Sequence, residues 1–143
     1  MLHVQIPHGR TAPPPFPPPP VTAAGYLRLR REAAGLTVDQ VARTIARHPA
    51  QRSEAAALIR MLETDGVRAK HEVTLALLAR AFPFDRAVYR QLLEEPTDRH
   101  PPICRGCGCT HWDPCENAHG YCSWATPDQC THCAQRDGLG QSS

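Results

Sequence analysis

Arg31-Glu32-Ala33-Ala34-Gly35-Leu36-Thr37-Val38-Asp39-Gln40-Val41-Ala42 decides the fold of this chain. Glycine after a run of helix formers is the usual residue just past a helix C-terminus, because it enters the left-handed region without a Cβ penalty. Thr37 then has Gln40 three residues on. That spacing lets the threonine hydroxyl take the Gln40 backbone N–H while the glutamine side chain reaches back to the Thr37 N–H, a capping box that starts a new helix. Val38, Val41, Ala42 and Ile45 fall on one face of it. The twelve residues therefore read as helix, tight turn, helix.

Upstream, Tyr26-Leu27-Arg28-Leu29-Arg30-Arg31-Glu32-Ala33-Ala34 supplies the first helix. Downstream, His48-Pro49 breaks the second helix, since proline cannot donate to its ladder. A third helix is expected from about Ser53 to Glu63, with Ala55, Leu58, Ile59 and Leu62 at helical spacing and Asp65-Gly66 ending it. A fourth covers about Lys70 to Ala81. Asp85 caps a fifth that stops before Pro96. The expectation is a mainly α protein, with a compact five-helix domain over residues 23–95.

On either side of that domain the composition changes. Pro13-Pro14-Pro15-Phe16-Pro17-Pro18-Pro19-Pro20 has fixed φ angles and no N–H donors, so residues 1–22 read as an extended, disordered Pro-rich arm. Residues 96–102 read as a linker, as a hinge or packed. All seven cysteines lie in a module over 103–135: Cys104, Cys107, Cys109, Cys115, Cys122, Cys130 and Cys133. Residues 136–143 read as a disordered tail.

The cysteine spacing carries chemistry. Cys104-Arg-Gly-Cys107 and Cys130-Thr-His-Cys133 are two C-x2-C knuckles, each tight enough to aim two sulfurs at one ion. Four thiolates close a tetrahedral shell, as a structural zinc requires. So short a segment has little apolar core, and the metal would largely replace it. An iron–sulfur cluster and disulfides are the competing readings of the same cysteines. Cys109, Cys115 and Cys122 are left over. They read as ligands of a second zinc completed by His111 or His119, with His132 inside the last knuckle, as part of a two-metal cluster with one bridging thiolate, or as small buried hydrophobes.

Formal net charge is +2. Residues 21–95 hold twelve Lys/Arg against nine Asp/Glu, and the rest of the chain from Pro96 holds three against five. Nucleic-acid contact is therefore expected from the helical domain. Met1-Leu2-His3-Val4-Gln5 starts no apolar signal-peptide run, and no segment is long enough to span a membrane, so a cytoplasmic protein is expected. No Gly-rich phosphate loop or His-Glu-x-x-His helix is present, and Asp113-Pro114-Cys115 lacks the second cysteine of a deaminase motif. The chain does not read as an enzyme.

Arg31 to Ala42 resembles the first helix, turn and second helix of the Xre/Cro-type helix-turn-helix domain of bacterial and phage repressors. Ile59-Arg60-Met61-Leu62-Glu63-Thr64-Asp65-Gly66 resembles the end of that family's third helix and the turn after it. Ile103-Cys104, Cys107-Gly108-Cys109, Cys122-Ser123-Trp124 and Cys130 with Cys133 resemble a small cysteine module of phage and proteobacterial proteins.

The first resemblance implies a DNA-binding transcriptional regulator that acts on double-stranded DNA as a homodimer, with half-sites about one helical turn apart. It implies that Gln40 touches DNA at the start of the second helix, and that Arg43, Arg47 and Arg68 or Lys70 meet phosphates. Counting back from Glu63 places Glu54, Ala55, Ala56 and Ala57 over the bases. If the residues after Pro49 form the helix start instead, Gln51, Arg52 and Ser53 reach them, with Arg60 a further candidate. Two other functions compete: a protein–protein adaptor with a partner on the Cys-rich module, and a redox or metal sensor using Cys109, Cys115 and Cys122.

Overall fold

Six α-helices and two small antiparallel sheets make up the computed structural model, which describes residues 18–141. Most of the Pro-rich arm lies outside the described residues. Its last two residues belong to the folded body: Val21 packs against the helical core, and the Thr22 hydroxyl caps the first helix by accepting from the Gly25 N–H at 2.9 Å.

Helix α1 (Ala23–Ala33) starts three residues earlier than its helix formers indicate, because that cap and the buried Ala23 and Ala24 extend it backward. It ends as expected. Gly35 has φ +74, and its N–H bonds the Glu32 carbonyl at 2.9 Å. Helix α2 (Val38–Ile45) opens on the full capping box, with Thr37 N–H to Gln40 Oε1 at 2.8 Å and Gln40 N–H to Thr37 Oγ1 at 3.2 Å. A single 3₁₀ turn, Pro49–Gln51, leads straight into α3 (Arg52–Leu62). Helix α4 is Glu72–Ala81, and α5 is Arg86–Glu94, capped by Asp85 Oδ1 on the Ala87 and Val88 N–H groups.

Val41, Ile59, Leu62, Leu75, Leu78, Val88 and Leu92 fill one core between these helices. Helix α2 packs on α3 and α4, and α1 packs on α5. Two buried tyrosines pin segments that lack regular structure. Tyr26 Oη accepts from the Asp85 N–H at 2.8 Å, and Tyr89 Oη accepts from the Ala69 N–H at 3.0 Å. Arg31 and Glu63, both largely buried, form an ion pair at 2.7 Å, and Arg31 Nη1 also donates to the Leu36 carbonyl at 2.8 Å. That pair ties the end of α1 to the end of α3.

Residues 96–102 are packed. A 3₁₀ turn at Thr97–Arg99 is held by Gln91 Nε2 on the Arg99 carbonyl at 2.8 Å, Pro101 is buried, and Ile103 enters the helical core. Beyond them, β1 (Glu116–Asn117) pairs with β2 (Gly120–Tyr121), and β3 (Trp124–Thr126) pairs with β4 (Gln129–Cys130). Helix α6 (Thr131–Gln141) corrects one expectation. Residues 136–141 continue a helix begun in the second cysteine knuckle, where the expectation was a disordered tail. Gln129 Nε2 bonds Asp137 Oδ2 at 2.7 Å and fastens that helix to β4.

Candidate metal centre and the exposed helix pair

The cysteine module has a core of sulfur. Cys104, Cys107, Cys109, Cys130 and Cys133 are buried, with Cys115, Cys122 and Trp124 packed against them. The first knuckle is shaped by a Cys104 N–H to Cys109 carbonyl bond at 3.0 Å and a Gly108 N–H to Cys104 carbonyl bond at 2.8 Å. The β1–β2 hairpin folds the chain back so that the Cys122 N–H bonds the Cys115 carbonyl at 2.9 Å. The second knuckle leaves β4 and opens α6.

This arrangement yields two groups of four sulfurs, each with all members within 4.8 Å of one another: Cys104, Cys107, Cys109 and Cys130, and Cys109, Cys115, Cys122 and Cys130. The clustered cysteines are therefore able to bind a metal ion. Individual separations are 3.9 Å for Cys107–Cys130, 3.8 Å for Cys115–Cys130 and 3.7 Å for Cys109–Cys122. A Zn–S bond of about 2.3 Å makes the edge of a ZnS₄ tetrahedron about 3.8 Å. A cubane cluster would set irons and sulfides between the cysteines and spread them wider. All seven cysteines are unpaired, so none is in a disulfide.

The four cysteines singled out as one site are placed in part as expected. Cys104, Cys107 and Cys130 share a group, but the fourth sulfur in it is Cys109. Cys133 Sγ lies against the Gly106 backbone with Cys104 Sγ; a Cβ on Gly106 would stand 2.7 Å from the first and 3.6 Å from the second. It also accepts from Arg136 Nη2 at 2.8 Å. Neither His111 nor His119 is in a sulfur group. His111 Nδ1 accepts from Trp124 Nε1 at 3.0 Å, and His119 is exposed at the hairpin turn. The histidine at the cluster is His132, whose Nδ1 lies 3.2 Å from Cys115 Sγ.

The thiols are electrostatically unequal. Cys104 is held well below the ordinary thiol range, first by hydrogen bonds from the Cys107 and Cys109 thiols. Backbone N–H groups of Gly106 and Cys130 point at the same sulfur, at 3.4 and 3.3 Å. Burial pushes Cys115 and Cys133 up. A cation removes that penalty, because a coordinated sulfur is a thiolate.

The module is fastened to the helices by Arg30, in sequence just one more helix former of α1. It is 8% exposed. Its Nε donates to the Pro83 carbonyl at 3.1 Å, its Nη1 to the Cys107 carbonyl at 3.2 Å, and its Nη2 stands 3.8 Å from Asp113.

The second region is the outer face of α2 and α3. Gln40, Arg43, Arg47, Gln51, Arg52, Ser53 and Arg60 are all exposed. Asp39, Arg43, Arg52, Ser53 and Arg60 line a shallow groove floored by Ala42 and Ala56. Gln51 makes no side-chain cap; the Pro49–Gln51 turn leads in instead, with the Arg52 N–H bonded to the Pro49 carbonyl and the Gln51 N–H to the His48 carbonyl at 2.9 Å. Helix α3 begins at Arg52, which makes Gln51, Arg52 and Ser53 its leading residues. Arg60 is not a free cation, since its Nη2 lies 3.6 Å from Asp39. Arg68 and Lys70 are exposed in the segment between α3 and α4.

No protein-family model, no curated protein and no solved structure matches this chain. No helix among the described residues is long and apolar enough to cross a membrane.

Proposed function

We propose that this protein is a DNA-binding transcriptional regulator of bacterial or phage origin, with an Xre-like helix-turn-helix domain over α1–α5 and a zinc-stabilised module behind it. The observation that carries the reading is the leading end of α3. It is exposed and flanked by Arg43 and Arg52 from two helices, with Gln51 and Ser53 beside them. Exposed arginines suit phosphate oxygens, and glutamine or arginine at the start of a recognition helix reads base edges in the major groove. Arg47, Arg68 and Lys70 supply positioning contacts, and a homodimer doubles the surface. The zinc has a structural role here, since four thiolates leave no open coordination position.

One observation favours a second reading, a protein–protein adaptor. Leu58, Met61 and Val73 are large apolar side chains left exposed, two of them on α3. Selection of bound fragments from a random duplex pool at near-physiological salt decides between the two. The regulator yields an enriched, two-fold motif. Arg52→Ala weakens binding at least about fivefold, as loss of one base contact of about 1–3 kcal/mol requires. Recovery without a motif refutes it and leaves the adaptor.

A further inference from the structure

We infer that the cysteine module holds two zinc ions joined through the Cys130 thiolate, not one. This rests on the metal-binding reading of the module and is independent of whether the helices bind DNA.

Two tetrahedral ions offer eight positions, and the chain has seven cysteines, all within the module. One shared sulfur closes the count with no histidine: His111 is engaged by Trp124, His119 is exposed, and His132, with Nδ1 3.2 Å from Cys115 Sγ, is left as a hydrogen-bond partner of that sulfur. The two four-sulfur groups overlap in Cys109 and Cys130. Cys130 has tetrahedral-edge separations into both halves, 3.9 Å to Cys107 and 3.8 Å to Cys115. Cys109 lies in both groups and 3.7 Å from Cys122, and it goes to the second ion, which otherwise has only Cys115, Cys122 and the shared sulfur. Cys133, beside Cys104 across the Gly106 backbone, then completes the first. The first ion takes Cys104, Cys107, Cys133 and Cys130, and the second takes Cys109, Cys115, Cys122 and Cys130.

Seven thiolates on two divalent ions leave three negative charges, and the surroundings offset them. Arg136 Nη2 donates to Cys133 at 2.8 Å, His132 Nδ1 stands 3.2 Å from Cys115, and the Gly106 and Cys130 N–H groups face Cys104. These contacts reach ligands of both ions, as outer-shell donors to a metal site do. Each thiol releases its proton when it binds, so loading frees protons in proportion to the ions taken up.

The test uses the full-length chain loaded with ¹¹³Cd²⁺, a spin-active stand-in for zinc. Native mass spectrometry counts the ions, and cadmium NMR reads their connection. Two ions per chain are expected, with two signals of equal area that split each other through the shared sulfur. Cys122→Ser is expected to lose one ion and leave a single unsplit signal. One ion in the unaltered chain, or two signals without mutual splitting, overturns the bridged pair while leaving the module a metal site. No bound ion overturns both.

Discussion

Replacing Arg30 by methionine keeps a buried stem of similar length and removes the guanidinium. Two hydrogen bonds go with it, to the Pro83 and Cys107 carbonyls at 3.1 and 3.2 Å. A hydrogen bond from a charged donor is worth about 1.5–3 kcal/mol, so the two together come to about 3–6 kcal/mol. The Asp113 contact at 3.8 Å adds little, because that carboxylate is 42% exposed and water screens it. Methionine recovers part of the loss by sparing the burial of a charge. The expected net destabilisation is about 2–4 kcal/mol. Urea unfolding of the metal-loaded chain measures it with two probes. Tryptophan fluorescence reports the module, where Trp112 and Trp124 both lie, and far-UV circular dichroism reports mainly α1–α5. In the unaltered chain the two curves should coincide. In the variant the dichroism midpoint should fall and the curves should separate, with bound metal unchanged in native buffer because every sulfur is still present. Coincident curves with a loss below about 1 kcal/mol would refute the claim that Arg30 couples the two parts.

Gly108→Ala tests the same seam from the other side: Gly108 has φ +78, and a Cβ there would stand 2.9 Å from Arg30 Cδ, so a loss of about 2 kcal/mol or more is expected by thermal unfolding. Removing metal with a chelator should abolish the tryptophan environment of the module while most helix signal persists, because α1–α5 have their own core and only α6 depends on the sulfurs; proportionate loss of all ellipticity would show the helical core to be metal-dependent. Burial pushes the Tyr26 phenol up to about 12 from 10.0, outweighing the lowering by the Asp85 N–H bond and Arg30. The stability this contributes is complete below pH 10 and lost as pH rises through 12, about 2–3 kcal/mol in all. Denaturation midpoints across that window should fall for the unaltered chain and fall less for Tyr26→Phe.

The helical half was legible because its signals are local. A capping box needs only Thr37 and Gln40, a C-terminal glycine needs only Gly35, and periodicity needs only the chain itself, so five helices were placed to within a few residues. The start of α3 was ambiguous in sequence, since Pro49 breaks one helix without saying whether the next turn joins the following one. The structure runs Pro49–Gln51 directly into α3 and puts Gln51, Arg52 and Ser53 at its head.

The cysteine residues and their knuckles determined by themselves that soft-metal chemistry was available, because thiolate affinity is a property of the side chain and C-x2-C of a short loop. Which sulfurs meet was decided only by the tertiary structure. The β1–β2 hairpin swings Cys115 and Cys122 toward Cys130, puts His119 out in solvent, and leaves His132 as the histidine beside a sulfur. Arg30 and the Arg31–Glu63 pair were equally invisible in sequence, where an arginine on an amphipathic helix is by default a solvated cation. Their partners lie 77 and 32 residues away along the chain. Contacts at that separation follow from how the elements pack, which no local pattern encodes.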